Sequence, residues 1–290
     1  MKVCLNGKLV DSNSAKISIF DHGLLYGDGV FEGIRAYNCL IFKLKDHIER
    51  LFASAKAIHL EMPISKRKLS DYIIATLKAN KLKDAYIRLV VTRGVGDLGL
   101  DYRKCKEASF FIITDKVTLY SDQMYKKGLD IVTVSTRRNI PEALNPQIKS
   151  LNYLNNILAK IEAVNAGAEE AVMLNQNGFV SECSGDNICI VKGSNLFTPP
   201  VFIGVLEGIT RDCVMGISIK SALASEEKVL TRYDIYNADE MFLTGTAAEI
   251  IPVVKVDGRV INDGKPGVHT LELMKEFKKL TKTDGVRYAL

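Results

Sequence analysis

Apolar and polar residues alternate from Val3 to Val10 on either side of Asn6-Gly7, a residue pair that favours a tight two-residue turn, so a β-hairpin is expected to open the fold. Residues 29–37 and 40–43 read as a second strand pair turning at Asn38-Cys39. The period then changes. Ile48, Leu51, Phe52 and Ala55 recur at helical spacing, which predicts a helix over 45–57, and 69–80 predicts another. Residues 86–92 and 109–114 are β-rich and apolar and close a small domain near residue 116. From 117 to 128 the chain is polar and aperiodic, the expected interdomain linker. Beyond it, strands are predicted at 129–135, 170–174, 188–192 and 240–244, with helices over 153–166 and from about Thr210. The expected architecture is α+β: a small N-terminal domain over 1–116 and a larger mixed domain over 129–290, with no 20–50-residue repeat that would indicate a solenoid.

Composition narrows the function classes. The chain has 290 residues, 47% of them hydrophobic, enough to bury a proper core. Its 39 Lys and Arg against 34 Asp and Glu leave a charge of +5, spread along the chain apart from Lys66-Arg67-Lys68. Nucleic acid is therefore not the expected partner, since phosphate-dependent binding needs a concentrated basic surface. No run approaches the roughly 18 apolar residues of a membrane span, and the start lacks an apolar secretion segment, so a soluble, cytoplasmic protein with no membrane partner is expected. Six cysteines without a Cys-x-x-Cys pair, and four histidines far apart in sequence, lack zinc-type spacing, so no metal is expected. The cysteines read as buried free thiols in a reducing compartment.

Five places could carry chemistry. Gly208-Ile209-Thr210-Arg211-Asp212 precedes an apolar-periodic stretch, where free backbone N–H groups and a hydroxyl would cup a phosphate; Thr210 as an ordinary N-cap is the plainer alternative. Thr244-Gly245-Thr246-Ala247-Ala248-Glu249 follows a strand with small residues that let a ligand approach the backbone. Lys149 lies in an expected turn before a helix, where the helix N-terminus would favour a neutral, nucleophilic amine, although most lysines are simply solvated. Glu182 reads equally as an exposed turn residue, and Arg50 as one half of a surface ion pair worth less than about 1 kcal/mol.

Seven segments in order change that balance: Tyr26-Gly27-Asp28-Gly29-Val30-Phe31-Glu32-Gly33-Ile34-Arg35, His47-Ile48-Glu49-Arg50-Leu51, Ala85-Tyr86-Ile87-Arg88, Lys149-Ser150-Leu151-Asn152-Tyr153-Leu154, Gly178-Phe179-Val180-Ser181-Glu182, Leu206-Glu207-Gly208-Ile209-Thr210-Arg211-Asp212 and Gly245-Thr246-Ala247-Ala248-Glu249-Ile250. Together they resemble the fold-type IV pyridoxal-phosphate enzymes, and among them the branched-chain aminotransferases most closely. The resemblance implies a two-domain fold, with a small α/β domain and a larger, β-barrel-like mixed domain with flanking helices. It implies pyridoxal 5'-phosphate as cofactor, amino acids and 2-oxo acids as substrates, and a homo-oligomer of at least two subunits. In this pattern Lys149 would hold the cofactor covalently and shuttle the proton, Glu182 would face the pyridine nitrogen, and Tyr153 the phenolic oxygen. Arg50, the backbone of Ile209 and Thr210, and Thr246 would hold the phosphate. The Thr246–Ala247 backbone would receive the α-carboxylate, Tyr26, Phe31 and Tyr86 would line an apolar pocket, and Arg88 would meet the distal carboxylate of glutamate.

Two features depart from the pattern. Tyr153 follows Lys149 by four residues where some bacterial branched-chain enzymes have five, and the charged loop 94–106 matches poorly. Two sister activities compete. D-amino acid aminotransferases share the Lys-Ser-Leu-Asn run and Thr92-Arg93-Gly94, but typically place a histidine where this chain has Val95. Aminodeoxychorismate lyases share the cofactor, yet Tyr153 and the intact Gly-Thr-Ala-Ala turn favour transamination between branched-chain L-amino acids and 2-oxoglutarate.

Overall fold

The computed structural model describes residues 1–116 and 119–290; Val117 and Thr118, the first two residues of the expected linker, lie outside the described residues. The chain divides into two compact units, one comprising the segment up to that pair together with Ile148–Asn152 and Thr281–Leu290, the other comprising the rest.

The first unit is built on a seven-stranded sheet of β1 (Lys2–Leu5), β2 (Lys8–Asp11), β3 (Gly29–Tyr37), β4 (Leu40–Phe42), β5 (Ala85–Thr92), β6 (Ser109–Asp115) and the C-terminal strand Gly285–Arg287, in the order C-terminal strand-β4-β3-β5-β6-β1-β2. Every pairing in it is antiparallel. The opening hairpin turns at Asn6-Gly7 with both residues at positive φ (48° and 80°), as a primed turn demands. Helices α2 (Leu44–Ala57) and α3 (Lys66–Ala79) follow α1 (His22–Tyr26) in the chain and pack on one face of the sheet. Leu51, Ile73 and Leu77 from these helices meet Val30, Ile34, Ile87, Leu89 and Val91 from β3 and β5. Strand alternation therefore sends Phe31, Gly33 and Arg35, with Tyr86, Arg88 and Val90, to the opposite face.

The second unit holds a nine-stranded sheet: β7 (Leu129–Thr133), β8 (Glu170–Leu174), β9 (Val180–Cys183), β10 (Asn187–Lys192), β11 (Asn195–Thr198), β12 (Ala224–Glu227), β13 (Glu240–Gly245), β14 (Glu249–Val256) and β15 (Arg259–Val260). The order is β12-β11-β10-β13-β14-β7-β8-β9, with β15 on β14. In that order β9 lies five places from β10, which in a flat sheet is about 24 Å. Yet only Ser184–Asp186 join them, a link that reaches at most about 14 Å. The sheet must curl, and Cys183 N donates to Asp186 O at 2.8 Å across the turn. This is the barrel-like character expected of the larger domain. Helices α4 (Asp122–Lys127), α5 (Pro141–Leu144), α6 (Leu154–Asn165), α7 (Ile209–Ser218), α8 (Arg232–Tyr236) and α9 (Val268–Leu280) belong to this unit.

The boundaries differ from the expected 1–116, 117–128 and 129–290. Part of the expected linker is α4, whose Tyr125 hydroxyl donates to Ala248 O at 2.9 Å. The last ten residues join the first unit, because the strand Gly285–Arg287, hereafter β16, pairs with β4 and Tyr288 buries its ring in the first core while donating to Leu82 O at 2.7 Å. Strand β14 was illegible because Pro252 argues against a central strand; its pairing with β7 starts only at Val253, one residue later. Of the six free cysteines, Cys4, Cys183 and Cys189 are buried as expected, and Cys39, Cys105 and Cys213 are half-buried. Among the described residues no helix is long and apolar enough to cross a membrane.

The C-terminal assignment is testable. Tyr288→Ala should cost about 3 kcal/mol of stability, the usual effect of emptying a buried aromatic site. Urea unfolding measures it, and a loss below about 1 kcal/mol would mean that the terminal segment is not part of that core.

Candidate active site

In the first unit Lys149 lies on an extended segment, not in the expected turn. Its carbonyl accepts from Phe31 N at 2.9 Å, Ser150 bridges Val30, and Leu151 N donates to Gly29 O, so the segment runs against the start of β3. Lys149 N donates to Ser54 Oγ of α2. The side-chain amine lies 4.9 Å from the centre of the Phe31 ring. Helix α6 begins only at Leu154, so the expected helix N-terminus acts beyond its one-turn range of Lys149 along the chain.

The same Phe31 ring receives a second cation. The Arg88 guanidinium carbon lies 4.7 Å from its centre and 5.4 Å from that of Tyr86. Tyr86 and Arg88, two apart on β5, share one side of the sheet, and among the described residues no carboxylate forms an ion pair with Arg88. Arg93 is different. It grips Asp28 through Nε and Nη2 at 2.9 Å each and donates to the carbonyls of Ile58 and His59, so its donors are committed to structure.

Behind β3, Glu32 is fully buried. Arg50 binds it bidentately, Nε to Oε1 at 2.7 Å and Nη2 to Oε2 at 2.9 Å, and His47 Nδ1 lies 2.8 Å from Oε2. Burial would raise the Glu32 pKa, but Arg50 and His47 outweigh it and hold the carboxyl far below the usual range. Burial pushes the His47 pKa below its ordinary value, against the pull of Glu32 and with the charges of Arg50 and Lys149 acting in the same direction as burial. His47 is thus neutral, and its Nδ1 proton is the one Glu32 accepts. Arg50 is no surface ion pair: its side chain is 14% exposed and its partner is not exposed at all.

In the second unit Glu182 is not an exposed turn residue but a buried position on β9. Arg138 Nε donates to its Oε1 at 2.7 Å, while Leu206 N and Asn187 Nδ2 donate to Oε2 at 3.0 and 3.2 Å. Arg138 is itself oriented by Asn156 Oδ1 at 3.2 Å. Thr210 is not an N-cap: Gly208 holds that place without a side-chain cap, which leaves the first-turn N–H groups of Ile209 and Thr210 to another acceptor. A Cβ on Gly208 would stand 1.9 Å from Asn187 Oδ1, and one on Gly245 1.9 Å from Asp186 Oδ1, so a side chain at either turn would have to displace a buried polar group. Thr246 and Ala247 are half-buried between β13 and β14. Tyr153 sits at the N-cap of α6, also half-buried. These bare turns and uncapped amides fit a phosphate group. Arg211 turns away from that role, being buried against Asp212 and Glu227.

The structure thus gathers Lys149, Phe31, Arg88 and Tyr86 in one unit and Glu182, Ile209, Thr210, Thr246, Ala247 and Tyr153 in the other. The Tyr26 hydroxyl donates to Leu98 O at 2.5 Å and its ring meets His22 edge-on. The poorly matching loop is anchored there as well, through His22 N to Gly94 O, Gly96 N to Phe20 O and the Asp21–Val95 bridge. Sequence reasoning missed Glu32, His47 and Arg138. Glu32 carried a signal, since alternation with Val30 and Ile34 puts it on the apolar face of its strand.

The family model for class IV amino-transferases matches residues 29–256. The chain belongs to this family. A Methanocaldococcus jannaschii protein, provisionally assigned as a branched-chain-amino-acid aminotransferase, is 52% identical over 99% of both chains. A D-alanine aminotransferase from Bacillus licheniformis is 35% identical over 92% of both. Among solved structures, a T.th. branched-chain amino acid aminotransferase complexed with N-(5'-phosphopyridoxyl)-L-glutamate superposes with a TM-score of 0.91 at 34% identity, covering 97% of this chain and 94% of its own. The two-unit fold is accordingly that of the fold-type IV aminotransferases.

The buried triad of this class IV chain has a pH signature. Folded Glu32 and His47 both bind protons less readily than when unfolded, so stability is lost on acidification, from about pH 6.5 downward for His47 and from about pH 4.3 downward for Glu32. In His47→Gln, which keeps a donor for Glu32, urea-unfolding stability should fall less between pH 7 and 5 than in the unmodified protein. Parallel slopes would exclude His47 as the source.

Proposed function

We propose that this chain transfers amino groups between branched-chain L-amino acids and 2-oxoglutarate, with pyridoxal 5'-phosphate as cofactor. The observation that carries the reading is the Phe31 ring, which has the Lys149 amine at 4.9 Å and the Arg88 guanidinium at 4.7 Å. Lys149 beside the ring suits the covalent hold on the cofactor, Arg88 suits a distal carboxylate, and the ring between them suits an aliphatic side chain. Bound pyridoxal phosphate supplies an electron sink for the substrate α-carbon. Lys149 would carry the cofactor and move the proton at that carbon. Glu182, backed by Arg138, would hydrogen-bond the ring nitrogen, and Tyr153 the phenolic oxygen. Arg50, the Ile209 and Thr210 amides, and Thr246 would hold the phosphate, while the Thr246–Ala247 backbone would take the α-carboxylate. Tyr86 and Phe31 line the aliphatic pocket, with Tyr26 at a margin set by its bond to Leu98.

The complex of the T.th. relative with a phosphopyridoxyl adduct of L-glutamate supports the cofactor, the L configuration and the acidic substrate together. The M. jannaschii relative supports the branched-chain preference, and Val95, where D-specific enzymes typically carry a histidine, speaks against the D reading. A homo-oligomer of at least two copies is supported by exposed apolar side chains: Ile19, Leu24, Leu98 and Leu100 in the first unit, and Leu154 and Ile157 on α6. Free cysteines suit the reducing cytoplasm.

Lys149→Ala should lose both turnover and the visible absorbance of lysine-bound cofactor; retention of either would remove Lys149 from its role. Arg88→Leu separates the substrates. The acidic one should lose about 2–5 kcal/mol and L-leucine about 1 kcal/mol or less, because only the former leaves a charge unpaired. Half-reaction rates with L-leucine and L-glutamate measure this. Equal losses would assign Arg88 to the fold or the α-carboxylate, since Arg93 is already committed to Asp28.

A further inference from the structure

Glycine in the middle of a central strand weakens the strand, so Gly33 on β3 calls for a reason. Its backbone is extended and needs no glycine, being absent from the positive-φ positions. Space is the constraint. Gly33 pairs with Arg88 on β5, and Tyr86, two residues before Arg88, leans along the diagonal across the bare backbone. A Cβ at Gly33 would lie 2.1 Å from Tyr86 Oη, 2.8 Å from Cζ and 3.2 Å from Cε2. The Tyr86 ring in that position is one of the two rings that hold the Arg88 guanidinium, at 5.4 Å, the other being Phe31 at 4.7 Å.

We propose that Gly33 is a specificity-determining, positioning residue: its missing side chain seats the Tyr86 ring, which presets Arg88 for an acidic substrate. The inference rests on the reading of Arg88 as the distal-carboxylate partner. The three atoms nearest a methyl at this position all belong to the outer end of the Tyr86 ring, so the strand tolerates it and the ring yields. Arg88 then keeps one ring and loses the other. The guanidinium is no longer pre-organised, and an acidic ligand must order it on binding. An aliphatic ligand makes no demand on Arg88.

The test uses the holoenzyme. In Gly33→Ala, KM for L-glutamate should rise about tenfold and KM for L-leucine about twofold or less, with kcat for leucine retained. Calorimetric affinities for two unreactive acids, glutarate and 4-methylpentanoate, should diverge in the same way without any turnover. Tyr86→Phe removes the atom in closest conflict, so Gly33→Ala should have a smaller effect in the Tyr86→Phe background than in the unmodified protein. Equal effects on acidic and aliphatic ligands, an unchanged glutamate KM, or a full effect in the Tyr86→Phe background would each overturn the proposal. If Arg88→Leu separates the two substrates while Gly33→Ala does not, the inference about Gly33 fails alone. If Arg88→Leu affects both equally, the reading of Arg88 fails first.

Discussion

A carboxylate with no access to water is stable only when cations and donors close on it, and in the first unit Glu32 meets that condition through Arg50 and His47. The two partners stand three residues apart on α2 and so project from one face of the helix. This pairing locks the helix to β3 in a single register. A one-residue slip would carry Glu32 to the other face of the sheet and leave both partners buried and unmatched. It also decides what lies opposite. With Glu32 directed at α2, its neighbours Phe31 and Gly33 must face the other side, where Lys149, Arg88 and Tyr86 gather. One buried ion pair thus orders both surfaces of the strand.

The second unit uses the same device on a different scaffold. Glu182 is held by the guanidinium of Arg138, an asparagine and a backbone amide, so each of its oxygens has a direction imposed on it. The short link from β9 to β10 curls the sheet and brings Asn187 beside Glu182. Asn187 also donates to Leu206 O just before α7, and its side chain stands where a Cβ at Gly208 would go. A residue with no obvious chemistry of its own therefore ties the carboxylate to the helix start whose amides are left uncapped.

Much of the fold was legible in the sequence. The hairpin at Asn6-Gly7, strand β3 and helix α2 follow from local turn chemistry and hydrophobic period, because each is decided by neighbours within a few residues. Sequence order also picked out Lys149, Glu182 and the turn at Gly245. Their surroundings were not legible. Glu182 read as a turn residue because Val180–Cys183 is only four residues long, and Arg50 as a surface cation because its partner lies eighteen positions away. Arg138 sits in an irregular segment with no periodic signal, and finds Glu182 forty-four positions on.

By itself, then, the sequence determined the elements, their order and the family motifs, because strand and helix periods and turn residues act over short spans. Only the tertiary structure decided which charges are paired with carboxylates and which lie against rings. Arg93 and Arg88 are five residues apart and alike in type, yet one closes on Asp28 and the other lies between two rings. The joining of β16 to β4 is of the same kind. Pairings between distant segments depend on where the backbone brings them, and no local pattern records that distance.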